Sequence, residues 1–419
     1  MLNIRKVVVG VSGGVDSAVA ALLLKKRGYD IQGVFMQNWD IADEKGYCSS
    51  DADYKDAALI CAKLDIKLTH VNFVKHYWNE VFCNLIKEYE SGYTPNPDIL
   101  CNRNIKFNYF YKFAVNELGA DAIATGHYAR TSFGAFLEHY NLEKGVRLLS
   151  AADWFKDQTF FLSQVNQEAL QRTMFPLGDL MKPQVKKIAT ENGLEKIARK
   201  KESMGICFIG NRKFQDFIRE YIDDKPGDFV DVDTVRVMGE HNGVHQWTLG
   251  QRARLSSYES AYFVARKDVD KNIIYVAKGT KHPLLYTNII FTSEPHWIHS
   301  QPPDLQNGGV FECDFKFQHT KYWVKCQVCQ TSKGLIIKVN KYKRAITPGQ
   351  YAVLSKDGEC LGGARIINTG VSHFSLYYLE NNSLANVSHI LKKYVSKVSD
   401  SEDDLTDNED MKHRAVNRC

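Results

Sequence analysis

The alternation of strand-like and helix-like segments over residues 6–125 constrains the fold of this chain more than any other feature. Short apolar runs are typical of buried strands, and the segments between them are typical of helices. The strand-like runs lie at 6–11, 31–36, 66–73 and 121–125, and the helical patterns lie at 17–27, 54–64 and 76–90. Strands that are joined through helices form a parallel sheet with helices on both faces. We therefore expect a doubly wound α/β domain whose ligands bind at the carboxyl ends of the strands.

The pattern changes after residue 208. Residues 209–284 combine one short helical segment with strand-like pieces, and residues 285–370 alternate like short strands. Glycine-containing turns are expected between those strands, at Gly308-Gly309, Pro348-Gly349 and Gly362-Gly363. We predict four parts: the α/β domain at 1–208, a small mixed central domain at 209–284, a small all-β barrel or sandwich at 285–370, and a polar, acidic tail at 371–419 that we expect to be disordered.

Composition narrows the classes of function. The chain has 419 residues, 44% of them hydrophobic, and no apolar run of about 18 residues, so no membrane-spanning helix is expected. Its ten cysteines lack the spacing of a secreted disulfide scaffold, which favours a reducing compartment. The net charge is +5 although residues 400–410 are strongly acidic. A basic remainder suits a polyanionic partner such as nucleic acid, and it equally suits an ordinary solvated surface.

The segment after the first strand-like run has the composition of a phosphate-binding loop. Glycines let the backbone turn with its N–H groups pointing inward, and a helix N-terminus adds partial positive charge. The candidate nucleotide-binding residues are Gly10, Val11, Ser12, Gly13, Gly14, Val15, Asp16 and Ser17. Asp16 is a candidate Mg²⁺ ligand and the expected N-cap of the helix, which should stop at Gly28. The loop has neither the Walker nor the dinucleotide spacing, and an ordinary glycine-rich turn is the alternative.

A second nucleotide cue follows the fourth strand-like run, in Thr125-Gly126-His127. Gly126 would let an adenine or a ribose approach the backbone closely. His127 alone is as often a structural hydrogen-bonding group as a functional one.

Two cysteines are candidates for the chemistry. Cys101 ends a stiff loop in which two prolines should hold Asn96 extended, and Asp98 lies three positions earlier as a possible proton donor or acceptor. Cys207 lies among small and apolar residues. Taken alone, Cys101 is more often a buried structural cysteine near a helix start, and the segment of Cys207 could equally be a core strand. Cys326 and Cys329 supply at most two zinc ligands and should point to opposite faces of a strand, so we assign them to the fold of the β domain.

Five motifs taken together resemble one family. In chain order they are SGGVDS, PNPDILCN, TGHYAR, KDQTFFLSQ and ESMGICFIG. Their order and spacing are similar to those of the bacterial tRNA 2-thiouridylases and their mitochondrial counterparts, within the N-type ATP pyrophosphatase superfamily, over residues 4–370. The resemblance implies an ATP pyrophosphatase domain of the doubly wound α/β type, then a small central domain and a C-terminal β-barrel.

The resemblance also implies the chemistry. ATP, with Mg²⁺, adenylates the C2 oxygen of the wobble uridine in tRNAs for Lys, Glu and Gln, and sulfur then replaces that oxygen. Cys207 matches the position that receives sulfur as a persulfide from an upstream donor. Cys101 matches the partner thiol, which frees the sulfur or forms a disulfide with Cys207. The mitochondrial relatives imply a mitochondrial location, with the cytoplasm as the alternative, because no transit peptide can be recognised in the sequence.

Further positions are carried over from the resemblance. Met36 matches a position that touches adenine, although a lone methionine is usually core. Asn96, Pro97 and Asp98 match the segment against the target base. The positions that match tRNA contacts are His127, Lys156, Asp157, Gln158 and Gln350. An Arg-Tyr pair of the bacterial members is Lys316-Phe317 here, which puts those two contacts in doubt. Each of these could also be an ordinary surface residue.

Two other functions remain possible at this stage. A tRNA lysidine synthetase, a GMP synthetase or an argininosuccinate synthetase would use the same loop but would need no pair of cysteines. A non-catalytic RNA-binding protein would have no reason to keep the loop together with Cys101 and Cys207.

Overall fold

The computed structural model describes residues 4–39, 49–200, 209, 212–255, 258–319 and 322–370. The described residues before position 200 contain seven strands: β1 (Lys6–Gly10), β2 (Asp30–Gln37), β3 (Lys67–Asn72), β4 (Ala122–Ala124), β5 (Arg130–Thr131), β6 (Leu148–Leu149) and β7 (Thr173–Met174). Five of them form a sheet in the order β3-β2-β1-β4-β7, with every pairing parallel. The prediction of a doubly wound α/β domain is confirmed.

Helices cover both faces of this sheet. They are α1 (Val15–Lys26), α2 (Ser49–Lys63), α3 (Val74–Tyr77), α4 (Cys83–Glu90), α5 (Pro97–Leu100), α6 (Thr159–Leu162), α7 (Gln167–Gln171), α8 (Lys182–Glu191) and α9 (Glu195–Ala198). Wider, π-type turns form Trp78–Phe82, Cys101–Phe110 and Phe113–Glu117. Among the helices in the described ranges, none combines the length and apolar character needed to cross a bilayer.

The core explains why these segments adopt these conformations. Val7, Val8 and Val9 of β1 are fully buried, as expected for a central strand covered on both faces. Helix α1 packs against β1, β2 and α8, and it ends at the predicted stop, where Gly28 has a φ of +82°.

The central domain is built on a second sheet. Helix α10 (Phe214–Ile218) precedes it, and short 3₁₀ turns form Val244–Gln246 and Pro283–Leu285. Its strands are β8 (Gly227–Asp231), β9 (Val237–His241), β10 (Arg252–Ala253), β11 (Tyr262–Asp268) and β12 (Ile273–Lys278), in the order β10-β11-β12-β8-β9. The β12–β8 pair is parallel and the other three are antiparallel, so the sheet is mixed.

The C-terminal domain is a closed barrel. It contains β13 (Tyr286–Thr292), β14 (His296–Trp297), β15 (Val310–Lys316), β16 (Val324–Thr331), β17 (Gly334–Arg344), β18 (Tyr351–Lys356) and β19 (Glu359–Thr369), with a 3₁₀ helix at Pro303–Gly308. Six strands pair in the order β13-β17-β16-β15-β18-β19, and β19 pairs back with β13. Closure leaves the barrel without free edges. The barrel prediction is confirmed.

The turn predicted at Gly362-Gly363 is wrong, because both glycines lie inside β19. Gly362 has a φ of +130°, and a Cβ there would lie 2.0 Å from the carbonyl oxygen of His296. The glycine is needed because the backbone of β14, which pairs antiparallel with β19, approaches closely at this point.

The barrel and the first domain are joined by a shared sheet and a shared core. Strand β19 pairs with β6, so the β5–β6 hairpin of the first domain extends the barrel sheet. Val353 and Cys360 of the barrel belong to the hydrophobic core of the first domain. The barrel is therefore held against the face that carries the candidate site.

Candidate active site

The loop between β1 and α1 leaves a helix N-terminus open to an anion. Gly13 has a φ of +77°, and a Cβ there would lie 2.5 Å from the carbonyl oxygen of Asp53, so only glycine fits. Gly14 is the N-cap of α1 and has no side chain with which to bond the first-turn N–H groups. Val11 and Val15 are buried at the two ends of the loop. The positive end of the helix dipole and its N–H groups are thus suited to a phosphate.

Two serines brace this loop. The Oγ of Ser17 accepts the backbone N–H of Ser12 at 3.1 Å and donates to the carbonyl of Gly14 at 3.1 Å. The two hydroxyl oxygens lie 3.2 Å apart. The loop therefore has a fixed shape that does not depend on a ligand.

Asp16 is not the N-cap of α1, contrary to the prediction. It lies in the first turn, and both of its carboxylate oxygens accept hydrogen bonds from Nζ of Lys182 at 2.8 Å. The hydroxyl of Tyr128 donates to the same carboxylate at 2.9 Å. Lys182 begins α8, and its side chain is 9% exposed. A nearly buried positive charge thus lies beside the loop, and the sequence of the loop does not indicate it.

Gly10, Met36 and Gly126 lie around the loop at the carboxyl edge of the sheet. A Cβ on Gly10 would lie 3.2 Å from Cε of Met36. A Cβ on Gly126 would lie 2.6 Å from the backbone nitrogen of Ser17, so the closest neighbour of this glycine is the start of α1, where we expected a nucleotide. Gly126 brings the end of β4 against the phosphate-binding helix.

Cys101 lies where α5 continues into the wide-turned helix, a type of irregularity common at functional sites. Asp98 is three residues earlier, so the two side chains share one helix face. Cys101 is 7% exposed, whereas Asp98 is reached by solvent. Desolvation by the surrounding protein raises the pKa of Asp98, against the opposing charges of Lys106 and His319. The raised pKa of this solvent-accessible carboxyl group suits proton transfer.

The loop before Cys101 is held by the barrel. Asn96 is extended as predicted, and its Oδ1 caps α5 by accepting the N–H of Ile99 at 3.3 Å. Its Nδ2 donates to Oε1 of Gln350 at 3.2 Å. Gln350 in turn donates to the carbonyls of Thr94 and Pro95 at 2.8 and 3.2 Å. In this structure Gln350 positions the Asn96-Pro97-Asp98 segment, and the sequence suggested instead that it contacts tRNA.

His127 is buried, which argues against a direct contact with tRNA by its ring. Nδ1 lies 2.8 Å from Oγ1 of Thr125, and Nε2 lies 3.4 Å from Nζ of Lys106. Because an ammonium group only donates, Nε2 is the acceptor and Nδ1 carries the proton. Burial, followed by the charge of Lys106, holds the pKa of His127 well below its usual value, so the ring is neutral.

The Lys156-Asp157-Gln158 segment divides by exposure. Asp157 is 5% exposed, and its carboxylate accepts the N–H of Ala151 at 3.0 Å and the hydroxyl of Thr159 at 2.8 Å. These bonds give the Asp157 side chain a structural role, and its expected contact with tRNA stays a prediction. Gln158 is half-buried and accepts the N–H of Tyr128 at 2.9 Å, while Lys156 is half-exposed. This segment supports Tyr128, and through it Asp16.

Lys316 and Phe317 are both buried. Phe317 stacks on Phe315 in the barrel core, with ring centroids 5.9 Å apart, so it is not a surface for RNA. Nζ of Lys316 lies 5.3 Å from the ring centroid of Trp323, and burial lowers the pKa of the lysine. The doubt attached to this pair from the sequence is justified by its burial.

Cys207 lies outside the described residues, so its distance to Cys101 stays open.

Cys326 and Cys329 fit the assignment to the barrel fold, since Cys326 is buried in the barrel core and Cys329 lies on the other face. Sγ of Cys326 lies 3.6 Å from Sγ of Cys313 on the paired strand. Within the described ranges, no three His, Cys, Asp or Glu side chains form a group that could hold a metal ion.

Several residues of the site were missed from the sequence. Lys182 and Tyr128 contact Asp16, Lys106 contacts His127, and Nε2–H of His319 donates to the carbonyl of Asp157 at 2.8 Å. Tyr128 lies inside the TGHYAR motif, where the sequence assigned it no role. Lys106, Lys182 and His319 are common residue types outside the motifs that they support, and no local pattern identifies them. The exception is Trp154-Phe155, two adjacent aromatics directly before the KDQ motif, a pattern that is visible in the sequence.

A parallel sheet with a glycine-rich loop and an open helix N-terminus at its carboxyl edge defines a nucleotide-binding domain of the HUP class, here followed by two β domains. Family models agree with this class. They match the chain at residues 5–211 (tRNA methyl transferase HUP domain), 215–278 (tRNA methyl transferase PRC-barrel domain) and 287–366 (Aminomethyltransferase beta-barrel domain).

Curated relatives identify the family. The mitochondrial tRNA-specific 2-thiouridylase 1 of Drosophila melanogaster is 54% identical over 367 residues, covering 87% of this chain and 94% of that protein. The tRNA-specific 2-thiouridylase MnmA of Streptococcus agalactiae is 46% identical, covering 87% and 95%. The chain belongs to the tRNA-specific 2-thiouridylase family. A solved 4-thiouridine synthetase in complex with RNA and ATP is 19% identical over 52% of this chain and 49% of its own, with a TM-score of 0.30, a likeness too weak to support an argument about function.

Proposed function

We propose that this protein is an ATP-dependent tRNA 2-thiouridylase, which adenylates the C2 oxygen of a tRNA uridine and replaces it with sulfur. The observation that carries the proposal is the contact path between two chemistries. Hydrogen bonds lead from the nucleotide loop at Asp16 through Tyr128 to Gln158, and the carbonyl of the neighbouring Asp157 bonds His319. The charge of His319 in turn acts on Asp98, three residues before Cys101. An enzyme that only adenylated an oxygen of its substrate would not require a thiol at the far end of this path.

In the first step the uridine O2 attacks the α-phosphate of ATP, and pyrophosphate leaves. The residues that suit ATP are those of the open first turn of α1, whose N–H groups would bind phosphate, and Lys182, whose charge lies beside the loop. The carboxylate of Asp16 is already bonded to Lys182. We therefore propose that Mg²⁺ arrives with the phosphates of ATP and takes few protein ligands, as is usual for this ion.

In the second step sulfur displaces AMP. The terminal sulfur of a Cys207 persulfide attacks C2, and the Cys101 thiolate attacks Sγ of Cys207. The bond between the two persulfide sulfurs breaks, sulfur stays on the base, and Cys101 and Cys207 end as a disulfide that an external thiol must reduce. Asp98, with its raised pKa, lies one turn from Cys101 and is placed to exchange a proton with the base or the thiol.

The finer identity of the partners belongs to the proposal. Isoacceptors for Lys, Glu and Gln, a persulfide-carrying donor protein and a mitochondrial location are all extended to this chain from the resemblance. The mitochondrial names of relatives such as the Drosophila protein support the location.

The test is a reconstituted reaction of the full chain with tRNA, ATP-Mg²⁺, a thiol reductant and a persulfide-carrying donor protein. Nucleoside mass spectrometry should show 2-thiouridine at one position, formed only with ATP and accompanied by pyrophosphate. A methylated nucleoside instead, as the wording of the family models suggests, would overturn the proposal. So would pyrophosphate release with an unmodified tRNA at every concentration of the persulfide donor, because that result would indicate another adenylating enzyme.

A further inference from the structure

Three large aromatic side chains are exposed together beside the candidate active site. Trp154 is 65% exposed, Phe155 70% and Tyr322 67%. The rings of Trp154 and Tyr322 are nearly parallel, with an interplanar angle of 22° and centroids 6.1 Å apart, and Phe155 meets Trp154 edge-on at 5.8 Å. They come from different domains, because Trp154 and Phe155 precede α6 whereas Tyr322 precedes β16. Clustered exposed aromatics are typical of a binding surface.

The two aromatic residues of the first domain lie in a segment that hydrogen bonds hold in place. The buried carboxylate of Asp153 accepts the N–H groups of Phe155 and Lys156, each at 3.2 Å, and the N–H of Lys182 at 2.9 Å. The same Lys182 bonds Asp16 in the nucleotide loop. The position of the aromatic pair is therefore fixed relative to the ATP-binding loop, and its exposure is a property of an ordered segment.

Charge indicates what kind of partner fits. Asp153 and Asp157, the two acidic residues of this segment, are 4% and 5% exposed and bonded internally, so their charges are withdrawn from the surface. Lys156, which is partly exposed, is the basic residue of this segment. Aromatic faces beside a lysine suit unpaired bases and their phosphates, because single-stranded RNA is bound by stacking on aromatics and by basic groups along the backbone.

Position indicates which bases. Tyr322 is three residues after His319, and His319 acts electrostatically on Asp98 and bonds the carbonyl of Asp157. Three residues span at most about 11 Å. A uridine held at Asp98 would thus have neighbouring nucleotides within reach of the aromatic cluster.

We propose that Trp154, Phe155 and Tyr322 form a stacking surface for unpaired bases that flank the target uridine of the tRNA. The proposal rests on the proposed function and deepens it, since it assigns to this surface the recognition of a single-stranded loop. A sulfur-donor protein or a second copy of the chain are the other occupants that the test must distinguish.

The experiment measures the Kd of the full chain for tRNA and for its isolated anticodon stem-loop, in Trp154→Ala, Tyr322→Ala and the double variant. Each single variant should raise both Kd values about tenfold, and Trp154→Phe should restore most of the affinity. The KM for tRNA should rise while kcat stays close to that of the wild type, because uniform binding is lost. Phe291→Ala, at a 39%-exposed aromatic elsewhere on the barrel, is the matched control and should leave Kd unchanged.

Unchanged stem-loop affinity in the double variant would overturn the stacking surface. The same holds if the double variant keeps its tRNA affinity but loses self-association in sedimentation, or loses transfer from a protein persulfide donor while still using free sulfide. A wild-type protein that makes no 2-thiouridine would overturn the proposed function, whereas normal thiolation with unaltered binding by the variants would overturn this inference alone.

Discussion

The nucleotide loop and the proposed thiol site, which is the segment from Asn96 to Cys101, lie on one face of the molecule but are built in different ways. The loop is formed by consecutive residues, Gly10 to Ser17, at the start of one helix. The thiol site is completed by the barrel, since Asn96 bonds Gln350, 254 residues further along the chain. A loop of the first kind can form with its own domain, whereas a site of the second kind exists only when the barrel is docked. Variants should therefore separate ATP chemistry from sulfur chemistry.

The sharpest separation is expected from Cys101→Ser. The hydroxyl cannot attack a persulfide, so formation of 2-thiouridine should fall at least about 10³-fold. The nucleotide loop is untouched, and tRNA-dependent release of pyrophosphate from ATP should persist. Nucleoside mass spectrometry and a pyrophosphate assay on the same reactions measure both effects.

Cys83→Ser is the control for this variant, because Cys83 is a half-buried cysteine in α4, outside the proposed site. It should retain both activities. If Cys101→Ser formed 2-thiouridine at the wild-type rate, the proposed role of Cys101 would be wrong. The contrast between the nucleotide loop and the thiol site would then no longer hold.

Lys182→Ala should instead reduce the activity of the nucleotide loop. It removes the cation that bonds Asp16 and leaves a carboxylate facing the phosphates of ATP. We expect both pyrophosphate release and thiolation to fall together, about 10²-fold, as for the loss of one electrostatic stabiliser of the transition state. Parallel progress curves for the two products measure this directly.

Lys187→Ala, on the exposed face of the same helix, is the matched control. Its pair with Glu191 spans 3.8 Å between side chains that are 75% and 58% exposed, so its loss should be nearly neutral. If Lys182→Ala reduced thiolation but spared pyrophosphate release, the two halves would not be separable as described.

The same contrast explains what the sequence could predict. The sheet, α1 and its stop at Gly28 follow from neighbouring residues and were predicted correctly. The N-cap in the same segment was predicted wrongly, because α1 begins at Val15 and Asp16 lies within its first turn. The partner of Asp16 is Lys182, 166 residues away, which no neighbouring residue indicates. Burial is equally non-local, since nothing near Phe317 indicates that it packs inside the barrel while Trp154 is left exposed.

Gln350→Ala tests whether docking of the barrel shapes the thiol site. The change removes bonds to Asn96, Thr94 and Pro95, and each is worth about 1 kcal/mol of stability. We expect thiolation to fall about tenfold through misplacement of Asp98 and Cys101, with the Kd for ATP unchanged. Gln327→Ala is the control, because its bond to Glu312 lies on the exposed side of the barrel. Equal activity of the two variants would show that Gln350 has no positioning role.

The smallest expected effect concerns His127, which lies between the nucleotide loop and the thiol site. Its folded pKa is well below the unfolded value of 6.5, so its contribution to stability is complete above that pH. As the pH falls from 6.5 towards the folded pKa, the unfolded chain binds a proton that the folded ring does not, and the free energy of unfolding drops. The slope from this one group approaches about 1.4 kcal/mol per pH unit.

Urea unfolding at pH 7.5 and at pH 5.5 measures this effect in the wild type and in His127→Asn, which keeps a donor towards Thr125. His241, His245, His296 and His319 also have lowered pKa values and act in the same direction in both proteins. The difference between the two proteins therefore isolates His127, and the wild type should lose about 1 kcal/mol more on acidification. If both proteins lost the same free energy of unfolding, the His127 ring would titrate in the folded state. The ring that contacts Lys106 would then not be held neutral as described above.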